Sequence, residues 1–440
     1  MPVDPSPHLD RFNGYQRACR EFRCVIPDRF NIADAILSRH LDAATRVALL
    51  EMRPGGLNTY TYGGLDYLSD KFATALRQQG VSQGDSVAVI LSQSAPAIIA
   101  QLGALKLGAV VVPLSPTLET SALDFALRDS GARALIAHHT DRDKLASTVS
   151  SAAVVLVVNT LTPEFGDTAP DLDFWREVFE ASADFAFVET PANSPAFMFY
   201  SPNSQAGFGR ATHNHASLIY QLPPFSMSNN FQLGDDTTFW TGQDWTSIDS
   251  SLCSVYPALW YGWRLLADKS PATDLNAWGL IERCEVTNLF VNPSELSQLR
   301  ESSPPTASSG VLKLRRIVIA GAVGADLYDW ASRTLGASVG TVYCNPEVGS
   351  VAASCDAWFE ARPGSVGRAV PGYSITIIDE HGRELPSHRK GQVAIRLTAP
   401  PGSGERLAGR PHPASHAAAD LLITGDVGVK DENGYVWLRS

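Results

Sequence analysis

Long apolar runs are missing from this 440-residue chain. The longest, Ala97 to Leu114, is broken by Gln101 and Lys106 and ends at Pro113. A membrane span needs ~20 nearly uninterrupted apolar residues, so a buried helix followed by a strand is expected there. Basic residues are in the minority, 35 against 46 acidic ones, for a net charge of −11. A nucleic-acid binder needs a basic face, and no such partner is expected. Small anions stay open as ligands, because backbone amides hold them without net positive charge. Cysteine is scarce: positions 19, 24, 253, 284, 344 and 355, of which only Cys19 and Cys24 lie close in sequence. No Cys or His stands nearby to complete a zinc site, and reduced thiols in a cytoplasmic protein are the expectation. The start, Met1-Pro-Val-Asp-Pro-Ser-Pro7, lacks a basic region followed by an apolar run, so no secretory signal is read.

What is present suffices for a large core, with 44% hydrophobic and 18% charged residues. At ~150 residues per domain the length suggests about three units. Apolar residues at Leu65, Leu68, Phe72 and Leu76 give helical spacing over Leu65 to Gln79. The continuous run Val87 to Leu91 reads as a strand buried on both faces. Helix Ala95 to Leu107, strand Ala109 to Leu114, helix Ser121 to Ser130, and strands Ala134 to Ala137 and Val154 to Val158 continue the alternation. Strands separated by helices predict a parallel α/β layer.

After Thr190 to Pro195 a second α/β region is expected, with strands at Val286 to Val291 and Ile317 to Ala320 and a helix at Leu327 to Leu335. Beyond about Gly340, short runs such as Ser374 to Ile378 and Gln392 to Leu397 separated by turns predict a small β-rich layer. Residues 399–418 read as a loop. The expected division is an N-terminal extension 1–28, an α/β subdomain 29–190, a second 191–340 and a β-rich subdomain 341–440.

Three generic signatures carry little. Gly336-Ala-Ser-Val-Gly340 matches a serine-hydrolase pattern, but that pattern needs a strand before the serine and a helix after it, and the order here is reversed. His213 and His215 would share one strand face, with no third metal ligand close by. Gly321-Ala-Val-Gly324 sits between a strand and a helix, without the further glycine of the dinucleotide fingerprint.

A set of segments in fixed order is more informative. The apolar strand Ala196 to Tyr200 leads into a small, polar, Gly-bearing loop within Phe199 to His215. Trp240-Thr-Gly-Gln-Asp-Trp245 follows, then Ile319-Ala-Gly-Ala322, Tyr343-Cys-Asn-Pro-Glu347, Arg362-Pro-Gly-Ser-Val-Gly-Arg368, Leu422-Ile-Thr-Gly-Asp426 and Asp431 to Trp437. Together they resemble the AMP-forming acyl-CoA synthetases of the adenylate-forming superfamily, near the acetyl-, medium-chain acyl- and aryl-CoA synthetases. The resemblance runs from about Arg29 to Ser440.

That resemblance implies an α/β fold of two parallel-sheet subdomains with a small β-rich one. It implies a two-step reaction in which a carboxylic acid and Mg·ATP give an acyl-adenylate and pyrophosphate, and the thiol of CoA then displaces AMP. Charge developing on phosphate oxygens must be met by cations and fixed donors. Glu347 matches the acid of the family's Tyr-Gly-x-Thr-Glu motif and would hold Mg²⁺, for which a carboxylate is a suitable hard ligand. Tyr343 would pack on adenine and the Gly321-Ala322 backbone would line the base. Asp426 would accept the ribose hydroxyls, and Trp245 would line the acyl pocket. Ser201, Ser204 and Arg210 fall in the phosphate loop.

The family pattern also fails in places. Its phosphate loop reads Thr-Ser-Gly-Thr-Thr-Gly-x-Pro-Lys-Gly, with glycines that free backbone N–H groups to wrap phosphates. Here Asn203 and Ala206 replace two glycines, Gly209 replaces the lysine, and Pro202 removes an amide donor. Arg210 is the candidate substitute for the missing charge. Pro346 stands in place of the motif's threonine, and Val323 in place of an acid. The chain stops at Ser440, where the family continues through a Gly-Arg pair into a hinge and a C-terminal domain bearing the adenylation lysine and half of the CoA site. These departures leave two expectations side by side. One is an acid–thiol ligase that is impaired or completed by a separately encoded C-terminal domain. The other is a non-catalytic pseudoenzyme that binds a nucleotide, an acyl ligand or a partner, unless the chain is a truncated fragment.

Overall fold

The computed structural model describes residues 14–145, 154–158, 172–203, 207–268, 277–302, 312–396 and 421–439. The expected loop over 399–418 lies outside them.

The first layer grows from Ser86–Ile90, buried along its whole length. A strand apolar on both faces must be covered on both sides, which places it inside a parallel sheet. It pairs in parallel with Val110–Pro113 and Ala134–His138, and Val154–Val158 and Leu172–Asp173 extend that edge. On the other side Pro195–Asn203 pairs with Val110–Pro113, and Gly207–Asn214 closes the seven-stranded sheet antiparallel. The helix Ala95–Lys106 is buried all round. The Ala97 to Leu114 stretch is therefore a core helix and a strand, and no helix among the described residues is long and apolar enough to cross a membrane.

The second sheet has nine strands, in the order Arg368–Ala369, Gly349–Ala353, Ser338–Asn345, Arg316–Ala320, Asn288–Val291, Thr238–Thr241, Arg264–Ala267, Val47–Arg53 and Gly56–Thr61. Its centre is parallel and its ends antiparallel. Sheet membership crosses the divisions expected near residues 190 and 340. The hairpin Val47–Thr61 joins this second sheet, Pro195–Asn214 joins the first, and Ser338–Ala353 completes the second instead of opening the β-rich layer. Period-2 and continuous apolar patterns reveal strands but not the neighbour each one chooses.

The β-rich layer is a four-stranded antiparallel sheet of Ser374–Ile378, Gly391–Arg396, Leu421–Lys430 and Val436–Arg439. The described part of the 1–28 stretch is docked: Tyr15 donates to the Ala369 carbonyl at 2.8 Å and packs edge-on against Phe359.

The segment Arg362–Arg368 crosses between these sheets, and its Gly367 leaves no room for a side chain. Its φ is +90°, and a Cβ there would lie 2.1 Å from the Ala353 carbonyl. Left-handed backbone costs an L-residue ~1–2 kcal/mol, and overpacking against backbone adds ~1–3 kcal/mol. Gly367→Ala should therefore lose ~2–5 kcal/mol of stability by urea denaturation; a loss under ~0.5 kcal/mol would contradict this packing.

Candidate active site

Four of the residues singled out from the sequence meet where the nine-stranded and four-stranded sheets face each other. Gly321 follows the strand Arg316–Ala320, and its N–H donates to the Val342 carbonyl at 2.8 Å, one residue from Tyr343. Ala322 packs on the apolar cluster that contains Tyr343. The Tyr343 hydroxyl donates to Asp426 Oδ2 at 2.5 Å, across 83 residues of sequence. Burial, and then the Asp426 carboxylate that accepts its hydrogen bond, push the Tyr343 phenol well above its ordinary range. It stays protonated and holds the acid in place. Thr424 Oγ1 receives the Asp426 N–H at 3.1 Å and anchors on the Val393 carbonyl at 2.9 Å.

The surface this creates differs from the expectation in one respect. Tyr343 is only 3% exposed, so its ring is covered and cannot serve as an open platform for adenine. Gly321, Ala322 and Asp426 are the groups left accessible. A carboxylate has about four acceptor positions, and Tyr343 occupies one.

Glu347 lies exposed on the turn between Ser338–Asn345 and Gly349–Ala353. The turn is held from three sides. Asn345 Oδ1 accepts the Glu347 N–H at 3.1 Å, and His213 Nε2 meets the Pro346 carbonyl at 2.8 Å. Gln221 donates to the Val348 carbonyl at 3.1 Å while its Oε1 accepts from the Ser350 N–H at 2.8 Å. His213, dismissed as a metal ligand, is thus the residue that ties the hairpin Pro195–Asn214 to the acidic turn. Burial lowers its imidazole to about 4, against the opposing pull of the Pro346 carbonyl. The neutral ring then presents Nε2–H to an acceptor. Gln221 carried no sequence signal, since a buried glutamine inside an apolar helix resembles any other polar interruption.

The phosphate loop is where sequence and structure part. The described parts of the polar loop expected after Tyr200 are paired strand, with Tyr200 opposite Arg210, Ser201 opposite Gly209, Pro202 opposite Phe208 and Asn203 opposite Gly207. Phe208 and Arg210 belong to an ordinary strand, whose residues point alternately to opposite faces. Arg210 therefore faces away from His213 and the acidic turn. Its Nη1 lies 3.1 Å from Asp129 Oδ2, the same oxygen that accepts from the Tyr200 hydroxyl at 2.6 Å. The aromatic trio Phe125, Tyr200 and Phe208 packs beside this pair. Ser201 sits in the hairpin ladder, and Ser204 lies outside the described residues.

Trp245 is buried in the largest apolar cluster, and its indole N–H has no partner among the described residues. Its motif does further work that the sequence did not reveal. Gln93 donates through Nε2 to the carbonyls of Thr241 and Gln243 at 2.9 and 2.5 Å. Asp244 accepts from the Gln93 N–H at 3.3 Å and the Ser115 hydroxyl at 3.2 Å. These bonds join the carboxyl ends of the two large sheets, the usual place for a ligand in open α/β sheets. Burial raises the Asp244 pKa.

Among the described residues no three His, Cys, Asp or Glu side chains form a metal cage. Mg²⁺ commonly takes only one or two carboxylates and completes its shell with water and phosphate, which the exposed Glu347 fits. The paired hairpin does not fit a phosphate cradle in the same way, because its ladder engages backbone groups that such a cradle would need free.

The sequence signature of AMP-binding enzymes matches residues 40–399. The chain belongs to the AMP-binding enzyme family. Human mitochondrial acyl-coenzyme A synthetase ACSM4 is 24% identical over 392 residues, covering 86% of this chain and 65% of the relative. Among solved structures, a Brucella canis acyl-CoA synthetase superposes with a TM-score of 0.87 at 23% identity, over 97% of this chain and 79% of that one. ATP-bound MatB from Rhodopseudomonas palustris gives 0.78 at 20% identity, over 93% and 78%. The fold is thus the one these two structures share, and the chain spans about two thirds of the length of its human relative.

Proposed function

We propose that the chain binds an adenine nucleotide by its nucleoside end, and that it descends from an adenylate-forming acid–CoA ligase with low turnover on its own. The observation that carries this is the Tyr343–Asp426 bond beside Gly321 and Ala322. A preoriented carboxylate next to an open backbone edge suits ribose hydroxyls and an adenine edge. In this reading Tyr343 is a positioning residue for Asp426, and Trp245 lies beside the acid substrate.

The family's chemistry needs ATP, Mg²⁺ and CoA. Glu347 would hold Mg²⁺, which would neutralise charge on the transferring phosphate. The pairing of Ser201–Asn203 with Gly207–Gly209 argues for weak retention of the β- and γ-phosphates, so efficient turnover would require a further element that closes over them. A closed site that excludes water commonly depends on such a moving part. The same pairing favours a second reading, a nucleotide-binding module that has lost the chemistry.

Calorimetric titration distinguishes these. AMP should bind in the micromolar-to-millimolar range, roughly −8 to −4 kcal/mol, and Mg·ATP no more tightly than AMP. Asp426→Ala should weaken AMP by at least about tenfold, or 1.4 kcal/mol, with an unchanged far-ultraviolet spectrum. Equal affinity in that variant would sink the nucleotide site. Pyrophosphate release with a panel of carboxylic acids then separates a slow ligase from a binding module.

A further inference from the structure

Cys253 and Cys344 are 91 residues apart in sequence, yet their sulfurs lie 3.6 Å from each other. Both are free thiols. Two local irregularities bring them together. Cys253 sits in a π-helical turn, Ser251–Val255, where its N–H reaches back five residues to the Ile248 carbonyl at 2.9 Å. Such turns insert one residue into a helix and redirect the side chains on it. Cys344 sits where the pairing of Ser338–Asn345 with Gly349–Ala353 shifts register, between Tyr343 and Cys344, and a bulge likewise re-aims a side chain. It also occupies the glycine position of the Tyr-Gly-x-Thr-Glu motif, so its side chain is an addition to that strand. Gln221 Oε1 accepts from Cys253 Sγ at 3.2 Å, which places the thiol pair against the residue that holds the Glu347 turn.

We propose that Cys253 and Cys344 form a reversible dithiol–disulfide modification site, whose closure weakens nucleotide binding at the neighbouring Tyr343–Asp426 pair. The second half of this statement rests on the nucleotide reading above; the first half does not. The oxidant is a small hydroperoxide. Cys344 retains partial exposure while Cys253 is buried, so Cys344 is the sulfur reached first. Its thiol gives up a proton, the sulfur attacks one peroxide oxygen, and the O–O bond breaks to release water and leave a sulfenic acid. The Cys253 sulfur then attacks that sulfur, the S–O bond breaks, and hydroxide leaves with the Cys253 proton as a second water. Two thiols and one hydrogen peroxide become one disulfide and two waters. The sulfurs must close from 3.6 Å to about 2.05 Å. That movement draws Cys344, and with it the adjacent Tyr343, toward the π turn. The hydrogen-bonded Cys253 thiol and then burial raise the Cys344 pKa, and since the thiolate is the nucleophile, the reaction is slow and calls for excess peroxide.

The test uses the full chain, freshly reduced, with and without hydrogen peroxide. Denaturing alkylation followed by intact mass should count six modified cysteines before treatment and four after it, returning to six with dithiothreitol. Peptide mapping should join the Cys253 and Cys344 peptides, and neither Cys253→Ser nor Cys344→Ser should show that link. Six alkylated cysteines after peroxide, a link between other cysteines, or a stable sulfinic acid at Cys344 would each overturn the proposal. The oxidised chain should bind AMP about tenfold more weakly, reversibly, and Cys344→Ser should not respond to peroxide. A confirmed link with unchanged AMP affinity would overturn the coupling. Failure of the nucleotide reading shows separately, as Asp426→Ala binding AMP like the parent chain.

Discussion

Arg316→Ala should destabilise the protein by ~2–5 kcal/mol, the usual range for truncating a large buried side chain to alanine. Arg316 is fully buried and opens the strand that leads into Gly321. Its Nε donates to the Ser228 carbonyl at 2.7 Å, and Nη1 to Asp356 Oδ2 at 2.9 Å. Gly340 makes the space for it: a Cβ there would stand 2.3 Å from Nη2. Truncation leaves the Ser228 carbonyl without its donor and opens a void in a packed layer, and both losses add to the broken pair. Arg316→Met should cost clearly less, because the aliphatic chain refills the volume and the Asp356 side chain, already 38% exposed, can rehydrate. Urea midpoints of the two variants check the order. Equal losses would mean that charge, and not packing, dominates.

Acid should unfold the protein through His213 and His215. Burial lowers both imidazoles to about 4, whereas an unfolded histidine titrates near 6.5. Between those values the unfolded chain binds more protons than the folded one, so stability rises with pH across that window. The contribution is complete above about pH 6.5 and falls away as the pH drops toward 4. With 1.36 kcal/mol per unit, the pair contributes on the order of 7 kcal/mol across this range. Each ring has a fixed task in its neutral form. His213 Nε2 meets the Pro346 carbonyl, and His215 Nδ1 accepts from the Ile32 N–H at 3.2 Å. His213→Gln and His215→Asn reproduce those two polar positions without titrating near neutrality. Stability of the double variant measured from pH 4 to 7 should therefore have a flatter slope than that of the parent. An unchanged slope would place the acid sensitivity in the carboxylates.

The two histidines also show why the site was only partly legible. Their sequence spacing suggested a metal and failed for want of a third ligand. Their actual partners, the carbonyl of Pro346 and the amide of Ile32, are backbone groups more than a hundred residues away, and backbone groups leave no mark on composition or spacing. Arg210 shows the opposite case. Its position in the motif suggested a phosphate cation, but strand alternation turns it to the face that carries Asp129 and Tyr200. Gln221 and the Cys253–Cys344 pair were silent in sequence, because each gains its meaning from an irregular turn or a bulge that no local pattern announces.

By itself the sequence determined the alternation of helices and strands, the absence of a membrane-spanning helix from the described residues, and the family. Those rest on local periodicity and on ordered motifs, which depend on near neighbours along the chain. Tertiary structure alone decided which sheet the Val47–Thr61 and Pro195–Asn214 hairpins would join, and that Tyr343 would be buried to hold Asp426. It also decided that the phosphate segment would pair as a hairpin, and that two distant thiols would meet. Strand partners and side-chain encounters are chosen by the packing of whole layers, where the cost of an unpaired backbone group or an unfilled space exceeds what any short segment prefers by itself.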